Sequence, residues 1–322
     1  MSPTDANAGT GSSNWSGAAD PAGHPPYEEV RVAVDGGELA VLRWPAAAPD
    51  APAVLALHGI TANALSWARV AHHLAGRATL IAPDLRGRAA SAGLPGPYGI
   101  PAHAEDAAAV ARALGLRAAV LTGHSMGAFT AALTAARHPR LFGAAVLVDG
   151  GVGFPAPVEL SADELLTAVI GPAMRRLSMT FADRAAYRAY WQAHPAFRAA
   201  WSPWADAYVQ RDLVGTEPEL RSSCRIEAVR VDGVGLFAPE VLDAVHRLPF
   251  RTPLLWAERG LMDEPQGLYD PGRLAAAKLD PDLVVPVAMP GTNHYTALIG
   301  DEGARIVAGH LLAAAEARSA QD

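Results

Sequence analysis

Four continuous apolar runs, separated by segments of helical length, constrain this chain more than any other feature. "APAVLALHG" (51–59), "ATLIAPD" (78–84), "AAVLTGHS" (118–125) and "GAAVLVDGG" (143–151) each end in small or polar residues. A strand with one wet face alternates apolar and polar side chains, whereas unbroken runs are expected of parallel strands buried on both faces. Ala-rich stretches at 64–75, 103–114 and 126–138 fall between them. The alternation predicts an α/β fold with a mostly parallel sheet, right-handed crossovers and helices on both faces. "VRVAVDGGELAVLRW" adds a hairpin turning at Asp-Gly-Gly. "TPLLWA" (252–257) and "DLVVPVAMPG" (282–291) bring the strands to eight, and "DEGARIVAGHLLAAAEAR" predicts a closing helix over 301–318.

That rhythm breaks between the fourth parallel strand and residue 252. Residues 154–245 show helical patterns and no convincing strand, with a concentration of large aromatics that includes Trp191, Trp201 and Trp204. The segment reads as a helical cap over the C-terminal edge of the sheet, with 28–153 and 246–322 forming the core. Its aromatics can form the cap's own small core, and some can line a pocket for an apolar ligand. The first 27 residues are rich in Gly, Ser, Pro and Asn and lack a basic start and apolar h-region, so a disordered tail is expected and a secretory signal is not.

"GHSMG" (123–127) sits where an apolar run gives way to a helical segment. A serine on such a strand-to-helix turn needs small neighbours, which Gly123 and Gly127 supply, and its hydroxyl projects above the sheet. Ser125 is therefore the candidate nucleophile. The N–H of Met126 opens the following helix, where unpaired donors favour negative charge. A serine hydroxyl needs a base. Of eleven histidines, His294 in "MPGTNHYTAL" follows the last strand and returns to the edge where Ser125 emerges. His124 adjoins the nucleophile, so its side chain should point away. "LHGITAN" (57–63) can turn at Gly59 to offer the N–H of Ile60 as a second oxyanion donor, with His58 shaping the turn.

The strand order, "HG", "DLRGR" (84–88), "GHSMG" and the late "NHY" together resemble the α/β-hydrolase superfamily, over nearly the whole chain after the tail. The resemblance is nearest to its capped ester, lactone and epoxide hydrolase branch. It implies Ser125 as nucleophile, His294 as base, and Ile60 and Met126 as oxyanion donors. Serine at the nucleophile position argues against an epoxide hydrolase or haloalkane dehalogenase, which would carry Asp. Ala89 stands where the family often has glycine, a departure that touches loop geometry. The family most often places the triad acid just past the strand at 252–257, where this chain reads "AERG". Asp149, at the end of the preceding strand, is favoured because it needs no loop excursion. Zearalenone-type lactonases and certain dehalogenases take their acid from that earlier strand, and the Ser125-to-Asp149 spacing looks like theirs. Asp263 is the main rival, and Glu258 is a third candidate that can instead pair with Arg259.

The reading is an ester or lactone hydrolase with an apolar or aromatic substrate, a zearalenone-type macrocyclic lactone being one instance. Met126, Met174, His58, Trp191, Trp201, Trp204 and Tyr295 are its candidate pocket residues. The same triad could serve amide or C–C hydrolysis, acyl transfer or perhydrolysis, and the fold could serve as a ligand receptor. No metal or organic cofactor is implied. A net charge of −7 with scattered Lys and Arg disfavours nucleic acid. No run approaches the ~18 apolar residues of a membrane span. A single cysteine, Cys224, suits a reducing cytoplasm and an inert buried thiol. Homo-oligomerisation stays open.

Overall fold

The computed structural model describes residues 25–153, 171 and 173–319. Nearly all of the predicted tail (1–27) therefore lies outside the described residues, as does the start of the predicted cap. The strands are β1 (Glu28–Val34), β2 (Gly37–Trp44), β3 (Ala53–Leu57), β4 (Thr79–Pro83), β5 (Ala119–His124) and β6 (Phe142–Val148), then the short β7 (Thr180–Phe181), β8 (Leu213–Val214) and β9 (Leu220–Ser222), and finally β10 (Thr252–Arg259) and β11 (Val284–Asn293). Eight of them form one sheet in the order β1-β2-β4-β3-β5-β6-β10-β11. The pairings of β2 with β1 and with β4 are antiparallel, and the others are parallel.

The unbroken apolar runs have a direct explanation in burial. In β3, Val54 and Ala56 belong to one hydrophobic cluster while Leu55 and Leu57 belong to another, one on each face of the sheet. All four are fully buried, so both sets of a two-residue period must be apolar. Helix α1 (Ala68–Leu74) and the terminal helix Asp301–Ser319 cover one face, and α2 (Ile100–Ala113) and α3 (Met126–Arg137) cover the other. No described helix is long and apolar enough to cross a membrane.

Sheet register brings distant segments to one level. Leu57 of β3 pairs with Gly123 of β5, Gly123 with Leu147 of β6, and Leu147 with Leu254 of β10. The chain therefore leaves β3, β5 and β6 at neighbouring points of a single edge, placing Ile60, Ser125 and Asp149 together. Parallel order alone would not do this; the register does.

Between β6 and β10 the described chain is mostly helical but not wholly so. β7, β9 and β8 form a small antiparallel sheet, which corrects the expectation of a strand-free segment. Its strands are two or three residues long, too short for a two-residue period to show in sequence. Helix Arg184–Gln192 starts at Asp183 and helix Pro203–Arg211 at Ser202; each cap side chain accepts the N–H of its N3 residue. Phe197 packs against Trp191 at 4.8 Å and against Tyr295 at 5.0 Å, tying these helices to the loop after β11. Helix Ile226–Gly235 docks elsewhere: its Asp232 accepts from Gly99 N and pairs with the fully buried Arg88 and His103.

Candidate active site

Ser125 has φ 56° and ψ −123°, a conformation rare for a residue with a Cβ and one that typically costs about 1–3 kcal/mol. The neighbouring glycines permit it by contact as well as by conformation. A Cβ on Gly123 would lie 1.9 Å from Gly127 O, and one on Gly127 would lie 2.1 Å from Leu57 O. Gly150 meets the same constraint, since its Cβ would lie 2.2 Å from Ser125 O. Sequence reasoning missed Gly150, although the doubled glycine after Asp149 was a signal. Ser125 N donates to Val148 O at 3.0 Å, locking the turn to β6. Met126 opens α3, where its N–H has no acceptor within the helix.

His294 follows β11, and its Nδ1 lies 2.7 Å from Asp149 Oδ2. A carboxylate accepts only, so Nδ1 carries the proton and Nε2 is the basic nitrogen. Asp149 is fully buried; its Oδ1 accepts from Ala257 N at 3.0 Å, and its own N–H donates to Leu255 O at 2.7 Å. Strand β10 thus fixes the carboxylate that faces the imidazole. Asp263 is elsewhere. It forms an ion pair with Arg259 at 2.7 Å and accepts from Asn293 Nδ2 at 3.0 Å, so it touches the residue before His294 and not the ring. Glu258 accepts from Gly291 N. At Gly260 the chain closes a tight turn: its N–H donates to Glu264 O, and a Cβ would lie 2.9 Å from the backbone oxygen of Gln266.

His124 does not point away as expected. Its Nε2 donates to His294 O at 2.8 Å, and the two rings lie 4.5 Å apart. Neighbours along β5 face opposite sides, but the turn at Ser125 breaks that alternation. His58, expected at the pocket, is instead a fully buried structural residue: Nε2 accepts from Leu85 N at 2.9 Å and Nδ1 donates to Gly59 O at 2.8 Å. Arg88 Nε donates to Ile60 O at 3.0 Å, holding the peptide chain at the candidate oxyanion donor. Ala89 has φ 42°, the left-handed conformation that glycine adopts freely.

Ser125 and His294 share a cavity of about 40 Å³, whose described lining includes Ile60, Thr61, Ser66, His124, Tyr208, Tyr295, Leu298 and Ile299. Tyr295, a candidate pocket residue, is part of that lining. Met126, Met174, Trp191, Trp201 and Trp204 are absent from that lining. Met126 is buried beneath the turn, Trp191 carries the Arg176 guanidinium 5.0 Å from its ring, and Trp204 packs on His72. These tryptophans bury their area against the protein itself. The cavity-wall positions had no signal in sequence: Ser66 read as an ordinary helix residue, and Leu298 and Ile299 fell between the last predicted strand and the closing helix. Cys224 is buried, and burial pushes its thiol up to about 11.

Burial also holds two site histidines neutral. The His58 imidazole is pushed down to about 3, chiefly by desolvation, and His124 is lowered by desolvation and by the adjacent His294. The unfolded chain protonates both near a pKa of about 6.5, so their contribution to stability is complete above that pH and lost as pH falls toward the folded values. Between pH 4.5 and 5.5 we expect unfolding to take up one proton on account of His58, a slope of ~1.4 kcal/mol per pH unit, to which His124 adds in the same direction. Urea melts at stepped pH measure it, and a slope below one proton would contradict neutral burial.

Residues 52–209 match the family model described as alpha/beta hydrolase fold. The chain is 31% identical over 255 residues to a 2-(acetamidomethylene)succinate hydrolase of Mesorhizobium japonicum, covering 78% of this chain and 84% of that one. It is 32% identical over 193 residues to an N-formylmaleamate deformylase of Pseudomonas putida, covering 56% and 72%. A crystal structure of E-2-(acetamidomethylene)succinate hydrolase superposes with a TM-score of 0.71 at 23% identity, over 90% of this chain and 99% of the other, a likeness of fold.

Proposed function

The chain belongs to the α/β-hydrolase family, and we propose that it is a serine hydrolase cleaving a small carboxylic ester or lactone through an acyl-enzyme. One observation carries this reading: Ser125, on its strained turn, shares a cavity with His294, whose Nδ1 is held 2.7 Å from the Asp149 carboxylate. His294 Nε2 takes the Ser125 proton as Oγ attacks the carbonyl carbon, and the resulting oxyanion accepts from the N–H groups of Ile60 and Met126. Collapse expels the alcohol, which His294 protonates. A water molecule, deprotonated by His294, then attacks the acyl-enzyme and releases the acid. The apolar side chains of Ile60, Leu298 and Ile299 on the described lining support an apolar acyl group.

Amide cleavage by the same residues is a second reading, favoured by the relatives named for an acetamido compound and for N-formylmaleamate. Matched ethyl esters and anilides separate the two, and a fluorophosphonate probe tests both. We expect the probe to modify the native protein on the peptide carrying Ser125, with ester turnover exceeding anilide turnover. Absence of labelling would remove the serine hydrolase reading; faster anilide cleavage would transfer it to amides.

A further inference from the structure

The walls of the cavity limit what can enter it. Among the described lining residues there is no Lys, Arg, Asp or Glu. Residues outside the described set contain no Lys or Arg either. The two lining histidines bring no unmatched cation: His294 faces the Asp149 carboxylate, and His124 spends its Nε2–H on the His294 carbonyl. Arg176 approaches one wall through a 3.3 Å bond to Thr61 O, but it is itself absent from the lining, and Asp212, which also accepts from Tyr187, matches its charge. An anionic ligand would lose its hydration here with no opposite charge in exchange.

One polar wall group stands apart. Ser66, 5% exposed, lines the cavity with Leu298 and Ile299, and its Oγ has no hydrogen-bond partner among the described residues. A buried hydroxyl of this kind can donate or accept and is costly to leave unpaired. On the proposed serine hydrolase reading, we infer that the cavity takes an uncharged substrate carrying a second oxygen outside the scissile group, bound by the Ser66 hydroxyl. This sets the chain apart from a hydrolase of carboxylate substrates such as N-formylmaleamate.

Three ethyl esters of matched size test the inference: ethyl 4-oxopentanoate, ethyl pentanoate and monoethyl succinate, which differ in a neutral carbonyl, a methylene and a carboxylate. Dissociation constants measured by titration calorimetry on Ser125→Ala report the cavity's preference whether or not Ser125 is the nucleophile. Turnover by the native protein separately reports the hydrolase reading. The ketone ester should bind roughly ten-fold tighter than the methylene ester, the gain of one hydrogen bond, and about a hundred-fold tighter than the carboxylate. Adding Ser66→Ala should erase the ketone advantage and leave ethyl pentanoate unchanged. The order among the three esters on Ser125→Ala stands as a test even if the double variant does not fold. Equal or tighter binding of monoethyl succinate overturns the proposal and points to Arg176, whose Nε has no partner among the described residues. Binding of none of the three, or a ketone preference that survives Ser66→Ala, overturns it as well.

Discussion

Asp149→Asn is expected to lower kcat by about 10³–10⁴, the loss shown when a triad acid becomes an amide, while Asp263→Asn stays within about ten-fold. The asymmetry follows from the hydrogen bonds around each carboxylate. Asp149 accepts two donors, Ala257 N on Oδ1 and His294 Nδ1 on Oδ2. An asparagine has one oxygen and one NH₂ group. The backbone N–H of Ala257 cannot reverse its role, so the amide oxygen stays with it and the NH₂ turns to His294. The imidazole must then accept at Nδ1 and carry its proton on Nε2, the wrong tautomer for removing a proton from Ser125. Asp263→Asn keeps an oxygen for Asn293 Nδ2 and loses only a half-exposed ion pair with Arg259. Steady-state kinetics, with thermal melts to verify folding, measure both variants. Equal mild losses in the two would sink the assignment of Asp149.

Ser125→Ala should abolish turnover almost completely, by about 10⁶ in kcat, as removal of a triad nucleophile does. Substrate binding should persist, because the cavity wall loses one hydroxyl and no charge. A chromogenic ester mixed rapidly with native protein should give a burst of one alcohol per chain if deacylation is the slower step; the variant should give none. Ser125→Gly carries a second expectation. It removes the Cβ from a turn at φ 56°, ψ −123°, and relief of that strain should raise the melting temperature relative to Ser125→Ala. An inactive but more stable Ser125→Gly would identify the turn as strain held for chemistry. Retention of more than a hundredth of native activity by Ser125→Ala would exclude an acyl-enzyme on Ser125, since another nucleophile would have to be present.

Much of the sheet was legible because burial on both faces imposes a strong pattern. The runs at 51–59, 78–84, 118–125 and 143–151 each contain a strand, and the glycines of "GHSMG" announce their turn because no Cβ fits beside Leu57 and Gly127. The segment between β6 and β10 was less legible. Its small sheet rests on two- and three-residue strands, and its tryptophans pack inward on Arg176, His72 and Phe197 instead of lining the cavity. Aromatic composition says that such side chains are buried, but not against what.

By itself the sequence determined which residues could do the chemistry: a serine between glycines at the end of a buried strand, a histidine past the last strand, and three carboxylates within reach of the same edge. Only the tertiary structure set which of those carboxylates faces His294 and gave His58 and His124 their hydrogen-bond partners. The reason is physical. Propensity and periodicity are local, whereas a carboxylate's partner depends on sheet register and loop closure. The pairing of β6 with β10 brings Ala257 N and His294 to Asp149, and the turn closed at Gly260 leaves Asp263 to Arg259. His124 shows the same limit: its neighbour along the chain is Ser125, but the group it supports is His294, 170 residues away.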